Sequence, residues 1–216
     1  MNISERLLAI ANLIHPHANV IDVGADHGIL EKYLIDSGKV NSIFAVENKK
    51  GPFETLRKNL KDYDVNVSLS DGLDEMPSET NVIVIAGMGG NLILDILKKD
   101  VNKLNGIQQI VVDAHRDAEL VRREVIKLGF RIEQEKIVLE NKIYYFIISF
   151  VRGNSAYKDI ELEWGYNVNN DPLFREFKTK ELSRLVTALN QQKKAKILKS
   201  DGIEKLQSKI ERLENL

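Results

Sequence analysis

Three carboxylates each stand at the end of a short apolar run. Asp22 opens the segment DVGADHG at Asp22–Gly28, Glu47 closes the run Ser42–Val46, and Asp71-Gly72 follows the alternating run Val65–Leu69. A fourth run, VIVIA at Val82–Ala86, leads into Gly87-Met88-Gly89-Gly90. An acid at a strand end can accept hydrogen bonds from vicinal hydroxyls or an exocyclic amine. Glycine lets the backbone come close to a flat ligand. Asp26 and His27, inside the first segment, add an acid and an imidazole next to such a ligand. The four histidines lack metal-ligand spacing and there is no cysteine, so neither a metal site nor a disulfide is expected.

The spacing within Asp22–Gly28 is not G-x-G-x-x-G. That counts against a pyrophosphate cradle and favours a ligand that carries an amino acid group, such as S-adenosylmethionine. A tight strand-to-helix turn is the plainer alternative. Glu47 suits both ribose hydroxyls of a nucleoside cofactor, as an acid does in dehydrogenases, so it does not choose between the two enzyme types. Asp71 can meet the amine of a cofactor adenine, although an Asp-Gly turn explains it equally well. The Gly87–Gly90 segment suits an acceptor-binding loop in which Met88 packs on a planar base. Further on, Asp113 reads as a helix cap and His115 as a base or a substrate contact.

Elements that would position these groups follow from the periodicity. Strand signals at Val20–Val23, Ser42–Val46, Val65–Leu69, Val82–Ala86 and Ile107–Val112 alternate with helical ones at Gly28–Asp36, Pro52–Leu60, Leu92–Leu97 and Ala118–Leu128. This order predicts a mostly parallel sheet covered by helices. Phe130–Leu139 and Ile143–Val151 are too closely connected to pair other than antiparallel. The expected class is α/β: a Rossmann-like sheet of the class I methyltransferase kind, with a terminal antiparallel hairpin.

Residues 1–152 would form this domain, 153–173 a linker, and 174–216 a helical coiled-coil-like domain. In the last, Phe174, Phe177, Leu182, Leu185, Val186 and Leu189 share one face. Ser200-Asp201-Gly202 reads as a turn, and Ile203, Leu206, Ile210 and Leu213 form a heptad seam. The net charge of -1 hides an asymmetry: residues 174–216 carry 11 Lys/Arg against 6 Asp/Glu. Lys193, Lys194, Lys196 and Lys199 cluster at the expected hairpin tip. A solvated face is the ordinary explanation, and phosphate contact the sharper one. No apolar run approaches the roughly 20 residues of a membrane span, so a soluble, cytoplasmic protein without membrane attachment is expected, acting as a monomer.

Taken together, the segments resemble the bacterial tRNA (adenine(22)-N1)-methyltransferases. The residues that carry the resemblance are SERLLAIANLI at Ser4–Ile14, IDVGADHGILEKYL at Ile21–Leu34, AVENKKGPFETLRKNL at Ala45–Leu60, SDGLDEM at Ser70–Met76 and IAGMGGNLILDIL at Ile85–Leu97. The resemblance extends through ENKIYYFIISF at Glu140–Phe150 and into the helical tail. It implies methyl transfer from S-adenosylmethionine to N1 of adenine 22 in tRNA. It implies cofactor contacts at Asp22, Gly24, Asp26, Glu47, Asp71, Gly72 and Gly87. Asp26, His27 and Met88 would lie near the transferred methyl, with Met88, Gly89, Gly90 and the tail lysines on the substrate. The chain departs from the family where Val46 precedes the acid and where Asp113-Ala114-His115 follows the fifth strand. A methyltransferase for another substrate, and a non-catalytic RNA- or protein-binding module on the same fold, are the alternatives.

Overall fold

The computed structural model describes residues 3–194 and 200–216. They divide between two compact units, Met1–Ala156 and Tyr157–Leu216. In chain order the first holds α1 (Glu5–Leu13), β1 (Ala18–Val23), α2 (Ile29–Asp36), β2 (Val40–Glu47), α3 (Lys50–Asn59), β3 (Asn66–Leu69), β4 (Val82–Gly89) and α4 (Gly90–Lys99). A 3-10 helix (Val101–Gly106), β5 (Gln109–Arg116), α5 (Ala118–Lys127), β6 (Phe130–Glu140) and β7 (Ile143–Arg152) complete it.

The strands form one sheet in the order β3-β2-β1-β4-β5-β7-β6. Pairing is parallel from β3 through β5 and antiparallel at β7, which lies between β5 and β6. This is the Rossmann-like methyltransferase arrangement with a terminal hairpin. Val82–Ile85 of β4 and Ile110–Val112 of β5 are buried, as continuous apolar strands covered on both faces must be. β3, at one edge, is short and has no fully buried residue. Asn141 and Lys142, at φ of 50° and 67°, supply the tight turn between β6 and β7.

α1 is capped by Ser4, whose hydroxyl accepts from the Leu7 amide at 3.3 Å. Its Ile10, Ala11 and Leu13 are buried in a cluster with Leu30 and Leu34 of α2 and strand residues such as Val20, Val84 and Val111. β4 and β5 run longer than their apolar stretches suggest, to Gly89 and Arg116. The reason is pairing: Gly89 registers with Arg116, and Asp113 and Ala114 register with Ile147 and Phe146 on β7.

The second unit holds α6 (Asp159–Trp164), α7 (Pro172–Lys194) and α8 (Ser200–Glu214). α7 and α8 run antiparallel: Lys178 donates to the Glu214 carbonyl at 3.2 Å, and at the opposite end Gly202 lies against the Gln192 side chain. The second unit departs from expectation in three places. The stretch 153–173 is not all linker, because α6 buries Trp164 and Glu163, and Glu163 pairs with Arg212 at 3.0 Å. Ser200–Gly202 is helical, with Asp201 favourably placed in a first turn. Gly202 serves close helix packing: a Cβ there would lie 2.9 Å from Gln192 Oε1. Val186, expected on the inner face, is exposed, whereas Phe174, Leu185 and Leu189 are buried.

Candidate active site

A cavity of about 860 Å³ opens at the carboxyl ends of β1 to β4. From β1 the chain passes outward to β2 and β3, and it then returns to β4 on the other side of β1. The crevice therefore lies at the topological switch point, where open α/β sheets bind ligands. It brings together Asp22 on β1 with Gly24, Asp26 and His27 just after it, Glu47 at the end of β2, Asp71 and Gly72 after β3, and Gly87 and Met88 on β4.

Each wall has a local cause. Gly24 has φ of 82°, and its amide and that of Ala25 donate to the Val46 carbonyl at 2.8 and 3.2 Å, folding the turn over the end of β2. A Cβ at Gly24 would collide with the terminal methyl of Met88. The Met88 side chain thus lies directly against the Gly24 backbone, where two walls meet. Asp26 takes φ of 50°, a region aspartate tolerates better than most residues. Its side chain is 71% exposed and 3.7 Å from His27 Nε2, so both groups face the open cavity. Glu47 is buried, and its Oε1 accepts from the Asn48 and Lys49 amides at 3.1 Å each, which fixes the carboxylate before any ligand arrives. Asp71 is exposed and held by Lys99 at 3.3 Å. Gly72 (φ of 57°) and Gly87 (φ of 76°) complete the rim.

Asp22 is almost fully buried, and burial pushes its carboxyl up to about 6, partly offset by a hydrogen bond from Glu31. Glu31, in the first turn of α2, has no exposed surface. Burial and then the charge of Asp22 drive its carboxyl well above the usual carboxylate range. No feature of the sequence distinguished Glu31 from an ordinary acid at a helix start.

Other expected residues fall elsewhere. Gly89 and Gly90 do not line the cavity. Gly90 begins α4, where a Cβ would lie 2.9 Å from the Asp117 carbonyl, so it serves the packing of β4 against the start of α5. Asp113 is not a helix cap: it is a buried residue of β5, and α5 begins only after Asp117. His115 does reach the cavity, 3.6 Å from Asp113 Oδ2. Arg6 of α1 also lines it, a lone cation on an apolar helix that the sequence pattern did not mark. Lys193 and Lys194 are exposed in the last turn of α7, in the second unit. Lys196 and Lys199 lie outside the described residues. Among the described residues no group of three or more His, Cys, Asp or Glu is placed to hold a metal ion, and no helix is long and apolar enough to cross a membrane.

Comparison with known proteins agrees with this geometry. A family described as a methyltransferase domain matches residues 3–148. The tRNA (adenine(22)-N(1))-methyltransferase of Bacillus subtilis is 30% identical over 172 residues, covering 76% of this chain and 72% of that protein. The chain belongs to the tRNA (adenine(22)-N1)-methyltransferase family. A Streptococcus pneumoniae protein provisionally assigned as a tRNA (m1A22) methyltransferase, solved in complex with S-adenosyl-L-methionine, is 27% identical, with a TM-score of 0.89 over 99% of each chain. A Streptococcus agalactiae protein of the NADB-Rossmann superfamily is 29% identical, with a TM-score of 0.92 over 100% of this chain and 97% of its own. As a member of this methyltransferase family, the chain joins the strand-end carboxylates and the Gly24–Met88 crevice in one cavity, and adds Arg6, Glu31 and His115 around it.

Proposed function

We propose that this chain transfers the methyl group of S-adenosylmethionine to N1 of the adenine at position 22 of tRNA. One observation carries the reading: Asp22, Glu47 and Asp71, from the ends of three successive parallel strands, line the same cavity as Met88. The residues present suit the cofactor. Glu47 has a preset carboxylate for ribose hydroxyls, Asp71 an exposed one for an exocyclic amine, and Asp22 a buried one for an ammonium. Gly24, Gly72 and Gly87 take positive φ, which side chains resist, so the backbone itself lines the cavity there.

When bound, S-adenosylmethionine supplies an electrophilic methyl, which the N1 lone pair can accept without an obligatory general base. The chain's tasks are to hold the base in line and to match the positive charge the adenine gains. Asp26 and His27 face the open cavity at the β1 end and Met88 faces it from β4, so the base lies between them in this reading. Asp26 accepts from the adenine amine or faces the developing cation. Met88, at the head of the Met88–Gly90 segment, holds the base. The target adenine leaves its stack to enter.

Lys193, Lys194, Lys196 and Lys199 contact the tRNA backbone, by charge more than by base sequence. The enzyme works as a monomer in the cytoplasm and needs no metal ion. The deciding experiment incubates the protein with unmodified tRNAs and S-adenosylmethionine, then identifies the product nucleoside by mass spectrometry. 1-Methyladenosine at position 22 is expected, and the absence of any methylated nucleoside would overturn the reading.

A further inference from the structure

Directly beneath the cavity floor, two carboxyl groups are buried together. Asp22, on β1, reaches the cavity with 5% of its surface exposed, and Glu31, on the first turn of α2, lies behind it with none. No donor of full hydrogen-bond geometry reaches either carboxyl oxygen of Glu31 among the described residues, and its own backbone amide, near enough to favour the charge, does not offset the burial. Its side-chain partner is the carboxyl of Asp22.

Two adjacent buried carboxyls cannot both ionise, because each charge would lack solvation and would repel the other. One proton is therefore shared, and the acid that keeps it becomes a donor to the one that does not. The positions decide the assignment. Asp22 has residual contact with the water-filled cavity, and Glu31 has none, so the proton stays on Glu31 and the charge on Asp22. The remaining charged groups nearby do not change this. Asp26, on the turn after β1, is negative and disfavours a second charge at Glu31. His27 beside it is 61% exposed and points to Asp26. Arg6 of α1 is engaged by Asp113 and Glu140, and Glu47 of β2 by two backbone amides.

We propose that Glu31 is a positioning residue for cofactor binding: as a neutral acid it donates to Asp22 and presents that carboxylate, charged and oriented, to the ammonium at the amino-acid end of the cofactor. This rests on the S-adenosylmethionine reading above. A carboxylate accepting a charge-assisted hydrogen bond has one oxygen fixed and the other directed outward, which removes the reorganisation that ligand binding would otherwise require.

The test is calorimetric titration of S-adenosylhomocysteine into the full chain and into Glu31→Gln and Glu31→Leu, from about pH 5.5 to about pH 8.5. Glutamine keeps a donor and leucine keeps only the volume. Wild-type binding should weaken as the pH falls below about 6, where Asp22 takes up a proton. Glu31→Gln should stay within about threefold of wild type near neutral pH, and Glu31→Leu should bind about tenfold more weakly or worse. The pH at which binding weakens should also move upward in Glu31→Leu, because Asp22 has lost the bond that favours its charge. If Glu31→Leu does not fold, Glu31→Met replaces it as the donor-free variant. Equal affinity and an equal pH midpoint in wild type and the donor-free variant would overturn the proposal, as would a glutamine variant as weak as the donor-free one. Wild type failing to bind S-adenosylhomocysteine at any pH would instead sink the cofactor reading itself.

Discussion

The guanidinium of Arg6 on α1 meets the buried carboxylate of Asp113 on β5 at 2.5 Å. The same cation reaches Glu140 at 3.4 Å and lies over the Tyr145 ring at 5.4 Å. His115 approaches the same Asp113 oxygen at 3.6 Å and stands edge-on to Tyr145, with ring centroids 5.0 Å apart. One buried acid thus orients two side chains of the cavity wall, one from the first helix and one from the fifth strand.

Replacing Arg6 by methionine should leave Asp113 charged, buried and short of its main partner. We expect a loss of about 2–3 kcal/mol of unfolding free energy, below the full cost of orphaning a buried ion because His115 remains nearby. The double variant Arg6→Met/Asp113→Asn should lose clearly less than the sum of the single ones. Urea titration measures both, and strict additivity would mean that the two residues do not act as a pair.

Gly24→Ala should suffer twice, from a positive φ and from the Met88 methyl. A stability loss of about 1–2 kcal/mol is expected, with weakened S-adenosylhomocysteine binding. Adding Met88→Ala removes the collision but not the backbone strain, so it should recover part of the loss. Full recovery, or none, would show that only one of the two effects operates.

Stability should depend on pH through the pair beneath the cavity. Asp22 is raised from its usual 3.8 to about 6, and Glu31 lies well above its usual 4.5. Both groups bind protons more tightly folded than unfolded. Their contribution is therefore complete below about pH 4 and is lost as the pH rises through 6 and on through the range of Glu31. Glu31→Gln removes the share of Glu31. Above about pH 4.5 the wild type should lose up to about 1.4 kcal/mol per pH unit more than this variant, until Glu31 itself ionises. Parallel urea unfolding curves at acid, neutral and alkaline pH measure the difference, and matching slopes would contradict it.

Asp26→Ala should retain S-adenosylhomocysteine binding within about tenfold, since the exposed side chain adds little to the fold. Methyl transfer should fall about a hundredfold or more as the base loses its acceptor. A single-turnover assay with saturating cofactor separates the two effects. Near-normal turnover would remove Asp26 from the substrate side of the cavity.

Lys193→Gln/Lys194→Gln should weaken tRNA binding while S-adenosylhomocysteine affinity stays unchanged. If each lysine meets one phosphate, the slope of log affinity against log salt should flatten by about one to two units. Filter binding across a salt series reads this directly, and an unaltered slope would mean that both lysines only face solvent.

The alternation of apolar runs with helical periods is local information, and it was enough to place Asp22, Glu47 and Asp71 at strand ends. Parallel strands put their carboxyl ends on one side of a sheet, so three acids far apart in sequence had to converge once the strand order was parallel. That much was legible in the sequence, together with the family. Partnership across the fold left no such mark. Arg6 and Asp113 are 107 positions apart, and nothing near either residue announces the other. The true extents of β4 and β5 depend on hydrogen bonds from neighbouring strands, which moved Asp113 from an expected helix cap into a buried ladder. Gly90 became a packing position because of the carbonyls at the start of α5. Glu31 has the same sequence context as any acid opening a helix. Only tertiary burial, by removing the water that would solvate its charge, turns it into a neutral donor beneath the cofactor site.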